Sequence, residues 1–208
     1  MRLFLSRLTL AFNHPRAVSE LDHPYELHRT LCKGFDDPVN ARILFRPEAD
    51  APRVVHVIVQ SFVAPDWSKL DADPKYLDGV EEPKQIALAG LREGLPLRFR
   101  LRCRPSKRIG MDGNLDEGKR RSLKDKEEIF GWLYRKGEDG GFRVTAAAFD
   151  RVYWFDSKEG RQEKPLGGVV FDGELIVTEA EKLRETVANG IGPQKAYGFG
   201  LLSLAPVA

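Results

Sequence analysis

Leu97-Arg98-Phe99-Arg100-Leu101-Arg102-Cys103-Arg104 alternates apolar and basic residues without a break, the period of a strand with one buried face. Leu97, Phe99, Leu101 and Cys103 share the parity that packs inward, and the four arginines share the other. Downstream, a basic loop containing glycines leads to a helix over about 123–136, where Ile129, Trp132 and Leu133 fall on one side. Two strands follow, near 142–155 and 166–177, joined by the polar hairpin tip 156–165. A short helix at about 178–188, a glycine-rich loop and a last strand over about 199–205 complete the pattern. That order, β-α-β-β-α-β, is the ferredoxin-like split unit.

Toward the N-terminus, residues 2–10 (RLFLSRLTL) read as a strand. Pro15 and Pro24 are each placed to open a short helix. The second helix runs from about Pro24 to Lys33 and stops at Gly34, a common residue just past a helix end. Residues 42–47 and 53–62 are rich in β-branched and aromatic side chains and predict two strands, with Pro47, Asp50 and Pro52 in a turn between them. Residues 64–94 hold Pro65, Pro74, Pro83 and many acids. They read as loop-rich, with a weak strand or helix near Ile86–Leu91, and mark the boundary between halves. The first half is thus β-α-β-β with an indistinct end, a degraded copy of the same unit. The expected fold is α+β, two tandem ferredoxin-like domains with antiparallel sheets. Residues 1–92 form the first, with a candidate catalytic helix, and 93–208 the second.

The 208 residues carry 33 Lys+Arg against 31 Asp+Glu, a formal net charge of +2 that says little about partners. Cys32 and Cys103 are too few for a disulfide scaffold or a cysteine-based zinc site. No stretch approaches the roughly 20 apolar residues of a membrane span, and the charged N-terminal run lacks the apolar core of a signal peptide. A soluble cytoplasmic protein without membrane association is expected. The even balance hides a local excess: Arg98 to Lys126 holds eleven basic residues (98, 100, 102, 104, 107, 108, 119, 120, 121, 124, 126) against four acidic ones (112, 116, 117, 125). Four arginines on one strand face repel one another, and a polyanion is the natural relief. Lys107-Arg108 and Lys119-Arg120-Arg121 extend the patch, and Lys158, Arg161 and Lys164 add charge at the hairpin tip. A basic stripe on such a sheet favours nucleic acid. The plainer alternative is a solvated face covered by acids from the first half.

Gly190-Ile191-Gly192-Pro193-Gln194-Lys195-Ala196-Tyr197-Gly198-Phe199-Gly200 follows a helix and enters a strand. A dinucleotide fingerprint has the opposite order. The loop is equally compatible with a tight structural turn and with an anion cradle helped by Lys195. Among four histidines, His14 and His23 precede prolines at helix starts, and His56 sits among valines in a strand. His28 differs. At 100° per residue, Tyr25, His28, Arg29 and Cys32 fall in one sector and Leu27 and Leu31 in the opposite one. The helix buries its leucines and presents Tyr, His and Arg together, with Lys33 at the margin. Residues three apart can bring polar tips to one substrate atom, and an imidazole with pKa near 6.5 moves protons at neutral pH. A polar face without chemistry is the alternative. No HExxH motif or tight acidic cluster accompanies the histidines, so no metal site or cofactor is expected.

Together these motifs resemble one family. Pro24-Tyr25-Glu26-Leu27-His28-Arg29-Thr30-Leu31-Cys32-Lys33 resembles the catalytic helix of the CasE (Cse) family, the CRISPR RNA-processing endoribonucleases of Cascade complexes. Arg104-Pro105-Ser106-Lys107-Arg108 resembles that family's central basic motif, and the segment from Gly190 through Lys195, Gly198 and Gly200 to Ser203 its glycine-rich signature. Asp66-Trp67-Ser68 also fits. Cys32 stands where small polar residues are usual.

The resemblance implies metal-independent cleavage of precursor RNA at the base of each repeat's stem-loop, by attack of a ribose 2′-hydroxyl on the adjacent phosphate. It implies His28 as the proton-transfer residue, Tyr25 as its partner at the nucleophile and Lys33 as a charge stabiliser. Arg29, Arg102, Arg104, Lys107, Arg108, Arg120, Arg121, Lys158, Arg161, Lys195, Gly198 and Gly200 are the expected RNA-binding residues. The partners would be the repeat stem-loop, before and after cleavage, and other Cascade subunits. The competing reading is a non-catalytic RNA-binding scaffold of the same fold; an anion-binding metabolic enzyme using the glycine loop is a remoter one.

Overall fold

The structure, a computed structural model, describes residues 2–51, 54–70, 75–111, 114–156 and 164–207, with the side chains of 49–51, 109–111, 114–119, 153–156 and 164–166 outside that description. β1 (Leu3–Leu10) leads into the helices α1 (Pro15–Asp22), α2 (Pro24–Cys32) and α3 (Pro38–Ala41). The strands β2 (Leu44–Ala51), β3 (Val54–Ser61), β4 (Leu77–Val80) and β5 (Lys84–Ile86) follow. The first sheet has the order β2-β3-β1-β4, and all its pairings are antiparallel. This is the ferredoxin-like order with its fourth position divided. β4 pairs Leu8–Leu10 of β1 while β5 pairs Leu3–Leu5. Among the described residues, a 3₁₀ turn, Trp67–Leu70, stands where the unit's second helix belongs, which is why 64–94 reads so weakly.

The second sheet is built from β6 (Pro96–Cys103), β9 (Phe142–Asp156), β10 (Lys164–Val177) and β11 (Leu202–Pro206) in the order β11-β6-β10-β9, again antiparallel. Helices α4 (Lys126–Asp139) and α5 (Ala180–Asn189) supply its two crossovers. Leu101, Cys103, Ile129, Leu133, Phe142 and Phe171 are sealed in one apolar cluster, so the inward parity of 97–104 is as the alternation requires. Leu3 and Leu91 belong to that same cluster, and the Gln60 amide donates to the Val187 carbonyl at 2.9 Å. The two sheets therefore share packing rather than merely a tether.

Three local expectations need correction. Pro47 lies inside β2, not in a turn; β2 is the edge strand, where a missing N–H costs no ladder bond. The basic loop before α4 is a hairpin, β7 (Ser106–Met111) against β8 (Asn114–Ser122), whose glycines and acids break the alternation that would reveal strands. Finally, α4 starts at Lys126 because Asp125 caps it, accepting from the Glu127 and Glu128 amides.

Gly34 follows α2 for a steric reason. A β-carbon there would lie 2.6–2.7 Å from the buried Trp67 ring, itself edge-on to Phe35. Gly34→Ala is therefore expected to destabilise the fold by about 1–3 kcal/mol through overpacking. A thermal melt checks this, and an unchanged midpoint would show that Trp67 yields freely.

Candidate nucleic-acid and catalytic site

α2 begins with Pro24 in its first turn and Glu26 near the positive helix end, and buries Leu27 and Leu31 at 0 and 1% exposure. The opposite face carries Tyr25, 47% exposed, Arg29 and half-buried His28. His23 precedes the helix and donates from Nδ1 to the Ser19 carbonyl at 2.8 Å, a role in joining α1 to α2 rather than in chemistry. The Tyr25 and His28 rings lie nearly parallel with centroids 6.3 Å apart. Phe45 from β2 closes the other side of His28 at 6.0 Å, and Tyr197 from the glycine-rich loop reaches Tyr25 at 5.6 Å. Cys32 Sγ is 3.8 Å from Nδ1 and 3.9 Å from Nε2 of His28. Burial holds the His28 imidazole below its ordinary pKa of 6.5, so the ring is neutral at pH 7, and burial pushes the Cys32 thiol up. The Cys32 thiol accordingly stays protonated beside the ring. Lys33 caps the helix, exposed, five residues beyond His28.

The glycine-rich loop folds as a tight turn pressed on this helix. A 3₁₀ turn at Lys195–Tyr197 is framed by left-handed Gln194 (φ 63°) and Gly198 (φ 76°). A β-carbon at Gly198 would meet Phe45 at 3.2 Å and Pro47 at 3.3 Å. Gly198 and Gly200 are buried. Close backbone approach is a role these glycines serve. Burial, with Arg42 nearby, lowers the pKa of the half-buried Lys195 ammonium.

The arginine stripe also departs from expectation. Its face turns toward the first sheet, not outward as a whole. Arg100 is held by Asp172 at 2.7 Å and lies 3.7 Å from Glu48 of β2. Of the first-half acids that the plainer alternative requires, Glu48 is thus present, and Asp172 joins it from β10. Arg102 is only 9% exposed and packs over the Phe199 ring at 5.7 Å. Burial first, then Arg46 alongside, pulls its guanidinium down to about 10. Arg102 is thus an interior residue in this structure. Arg104 bridges to Ser122 Oγ at 2.7 Å and Gln194 Oε1 at 2.8 Å, tying β6 to the hairpin and the loop. Arg29 pairs with Glu26 at 3.0 Å on the exposed helix face.

The open positive surface lies further along. Lys107, Arg108 and Arg120 from the β7–β8 hairpin join Arg135 and Lys136 of α4 around a cavity of about 540 Å³ that also meets Trp132 and Gly192. Arg121 is exposed on the same hairpin. A second cavity of about 530 Å³ gathers Arg104, Lys124 and Arg151 beside Gly167 and Gly168. Arg135, Lys136, Arg151 and Tyr197 escape the sequence reading. The two α4 cations could have been found, since they sit one turn past Trp132 on a helix already placed. Lys158 and Arg161 lie outside the described residues. Among the described residues, no group of three or more His, Cys, Asp and Glu is placed to hold a metal ion, and no helix is long and apolar enough to cross a membrane.

A family described as CRISPR associated protein matches residues 3–206. The chain is 36% identical to the CRISPR-associated endoribonuclease Cse3 of Thermus thermophilus, over 98% of this chain and all of that one. It is 34% identical to the CRISPR system Cascade subunit CasE of Escherichia coli, over 99% of this chain and all of the relative. The solved structure of Thermus thermophilus Cse3 bound to an RNA representing a pre-cleavage complex superposes with a TM-score of 0.84 at 36% identity, covering 99% of this chain and all of the other.

Proposed function

This chain belongs to the family of CRISPR-associated proteins that includes Cse3 and CasE, and from that premise we propose that it is the endoribonuclease of a Cascade complex. Its substrate is the precursor CRISPR RNA, cut at the base of the repeat stem-loop, and it stays on the product as a subunit in the cytoplasm. The observation that carries this reading is the pairing of Tyr25 and His28 on the outward face of α2, with Tyr197 closing over Tyr25. We read residues 1–92 as the domain that carries this helix and 93–208 as the domain that grips RNA.

The reaction is metal-independent. The 2′-oxygen loses its proton and bonds to phosphorus, the bond from phosphorus to the 5′-oxygen breaks, and that oxygen gains a proton. The products are a 2′,3′-cyclic phosphate and a 5′-hydroxyl. His28 moves the proton, and its neutral ring can accept one at pH 7. Tyr25 orients the 2′-hydroxyl. Lys33 sets a cation toward the charge that grows on the phosphate. Lys107, Arg108, Arg120, Arg121, Arg135 and Lys136 neutralise the backbone of the stem, whose A-form major groove is too narrow for most side chains. Arg29, Arg104 and Lys195 are proposed to contact the RNA as well. Lys158 and Arg161 are proposed to meet the stem from the hairpin tip.

Incubating the purified chain with a matching hairpin RNA and excess EDTA is expected to give two products, one ending in a cyclic phosphate. Inhibition by the chelator would reject the metal-free mechanism, and tight binding without product in any buffer would favour the scaffold. Affinity should fall steeply with salt. Arg135→Ala is expected to lower the slope of log affinity against log salt by about one, the signature of one lost phosphate contact. An unchanged slope would place Arg135 off the RNA path.

A further inference from the structure

Phe45 and Arg46 are neighbours on β2, and alternation sends them to opposite faces of the first sheet. Phe45 packs on His28. Arg46, 3% exposed, reaches the other half of the molecule. One of its amino groups donates to the Leu201 carbonyl at 3.1 Å and to the Arg100 carbonyl at 3.2 Å, and the other to Ser203 Oγ at 2.9 Å. Its Nε donates to Glu48 at 2.6 Å. Leu201 and Ser203 follow directly on the glycine-rich loop, whose Gly200 amide is bonded to the Arg102 carbonyl at 2.8 Å. One guanidinium thus holds β6 and the exit of the loop against the strand that lines His28.

We infer that Arg46 is a positioning residue for cleavage, locking the glycine-rich loop onto β2 so that Tyr197 meets Tyr25 and His28 stays pressed on Phe45. This rests on the reading of His28 and Tyr25 as the reacting pair. A planar fork with several donors suits the task in a way that a lysine does not. The pairing has a burial cost, for burial lowers the Arg46 pKa against the opposing pull of Glu48. That is reasonable for a group whose value lies in geometry rather than in net attraction.

The test is Arg46→Lys, which keeps the charge beside Glu48 and loses the fork. With RNA saturating, single-turnover cleavage is expected to slow by about 10–100-fold, the scale of a reacting group displaced by roughly an ångström, while RNA affinity stays near that of the parent. The discriminating readout is the pH profile. The titratable groups that meet this ring or its partner ring are Tyr25 and Cys32 on α2 and Tyr197 on the turn, and none is altered. A loosened loop admits water to His28, so the acidic limb should move up toward the ordinary value near 6.5. Parental rates, or slower cleavage with an unmoved limb, would overturn the assignment. Should the variant fail to fold, Ser203→Ala decides alone: it removes the side-chain acceptor at the loop exit, and an unmoved limb there also overturns it. A parent protein that does not cleave would instead strike the function itself.

Discussion

His28→Ala is expected to lower the rate of repeat-RNA cleavage by about 10²–10⁴-fold, the usual contribution of a positioned proton-transfer group, with RNA affinity nearly unchanged. The separation follows from placement. His28 lies between Tyr25 and Phe45 on the first sheet's helical layer, whereas the Lys107–Arg120–Arg135 surface belongs to the second half. Because burial depresses the imidazole pKa, the acidic limb of kcat/KM should fall below pH 6.5 in the parent and be absent from the variant. The stability linkage has a definite sign. The unfolded chain takes up a proton at this position near 6.5 while the folded chain resists, so the stabilisation is present above 6.5 and lost as pH falls through the lower folded value. Cleavage and binding assays across pH 5–8 on both proteins, with thermal melts over the same range, measure all three points. Cleavage at the parental rate in His28→Ala would remove the imidazole from the mechanism.

How much of this is legible in the sequence varies with the kind of signal. The buried side of α2 is written in Leu27 and Leu31, and a helix that hides them must turn Tyr25 and His28 to its other face. The inward parity of β6 is equally plain. Alternation separates two faces of a strand, however, without saying what covers each. Arg100 and Arg102 therefore read as RNA-facing although Asp172, Glu48 and Phe199 meet them. Arg46 carries no local sign of its role, because its partners include backbone carbonyls more than 50 residues away. Tyr197 matters only through a left-handed turn that folds back onto α2, a long-range contact with no local pattern. The loop's glycines announce close approach, but not to which element.

Glu20→Ala is expected to be the most destabilising single change near the site. Glu20 is 6% exposed on α1 and gathers three partners. Its Oε1 accepts from Thr30 Oγ1 of α2 at 2.7 Å and from Arg16 Nε at 2.8 Å, and its Oε2 accepts from the buried Tyr76 hydroxyl. Arg16 also donates to Thr30 at 2.6 Å and lies 4.7 Å over the Tyr76 ring. The carboxylate thus joins α1, α2 and the segment entering β4 from beneath the face that carries His28. Alanine leaves two buried hydroxyls and a half-buried guanidinium without their acceptor, which costs about 3–5 kcal/mol when one partner of a buried ionic network is removed. For a chain of this size that lowers the melting temperature by roughly 6–20 °C. Glu20→Gln keeps the shape and a carbonyl acceptor, so its loss should be smaller. The contrast with His28→Ala is the useful one. The imidazole variant should lose cleavage at every temperature while melting close to the parent. The carboxylate variant should cleave well when cold and fail as α2 comes loose on warming. A Glu20→Ala protein that melts with the parent would mean that the apolar contacts of Leu27 and Leu31 alone suffice to seat the helix.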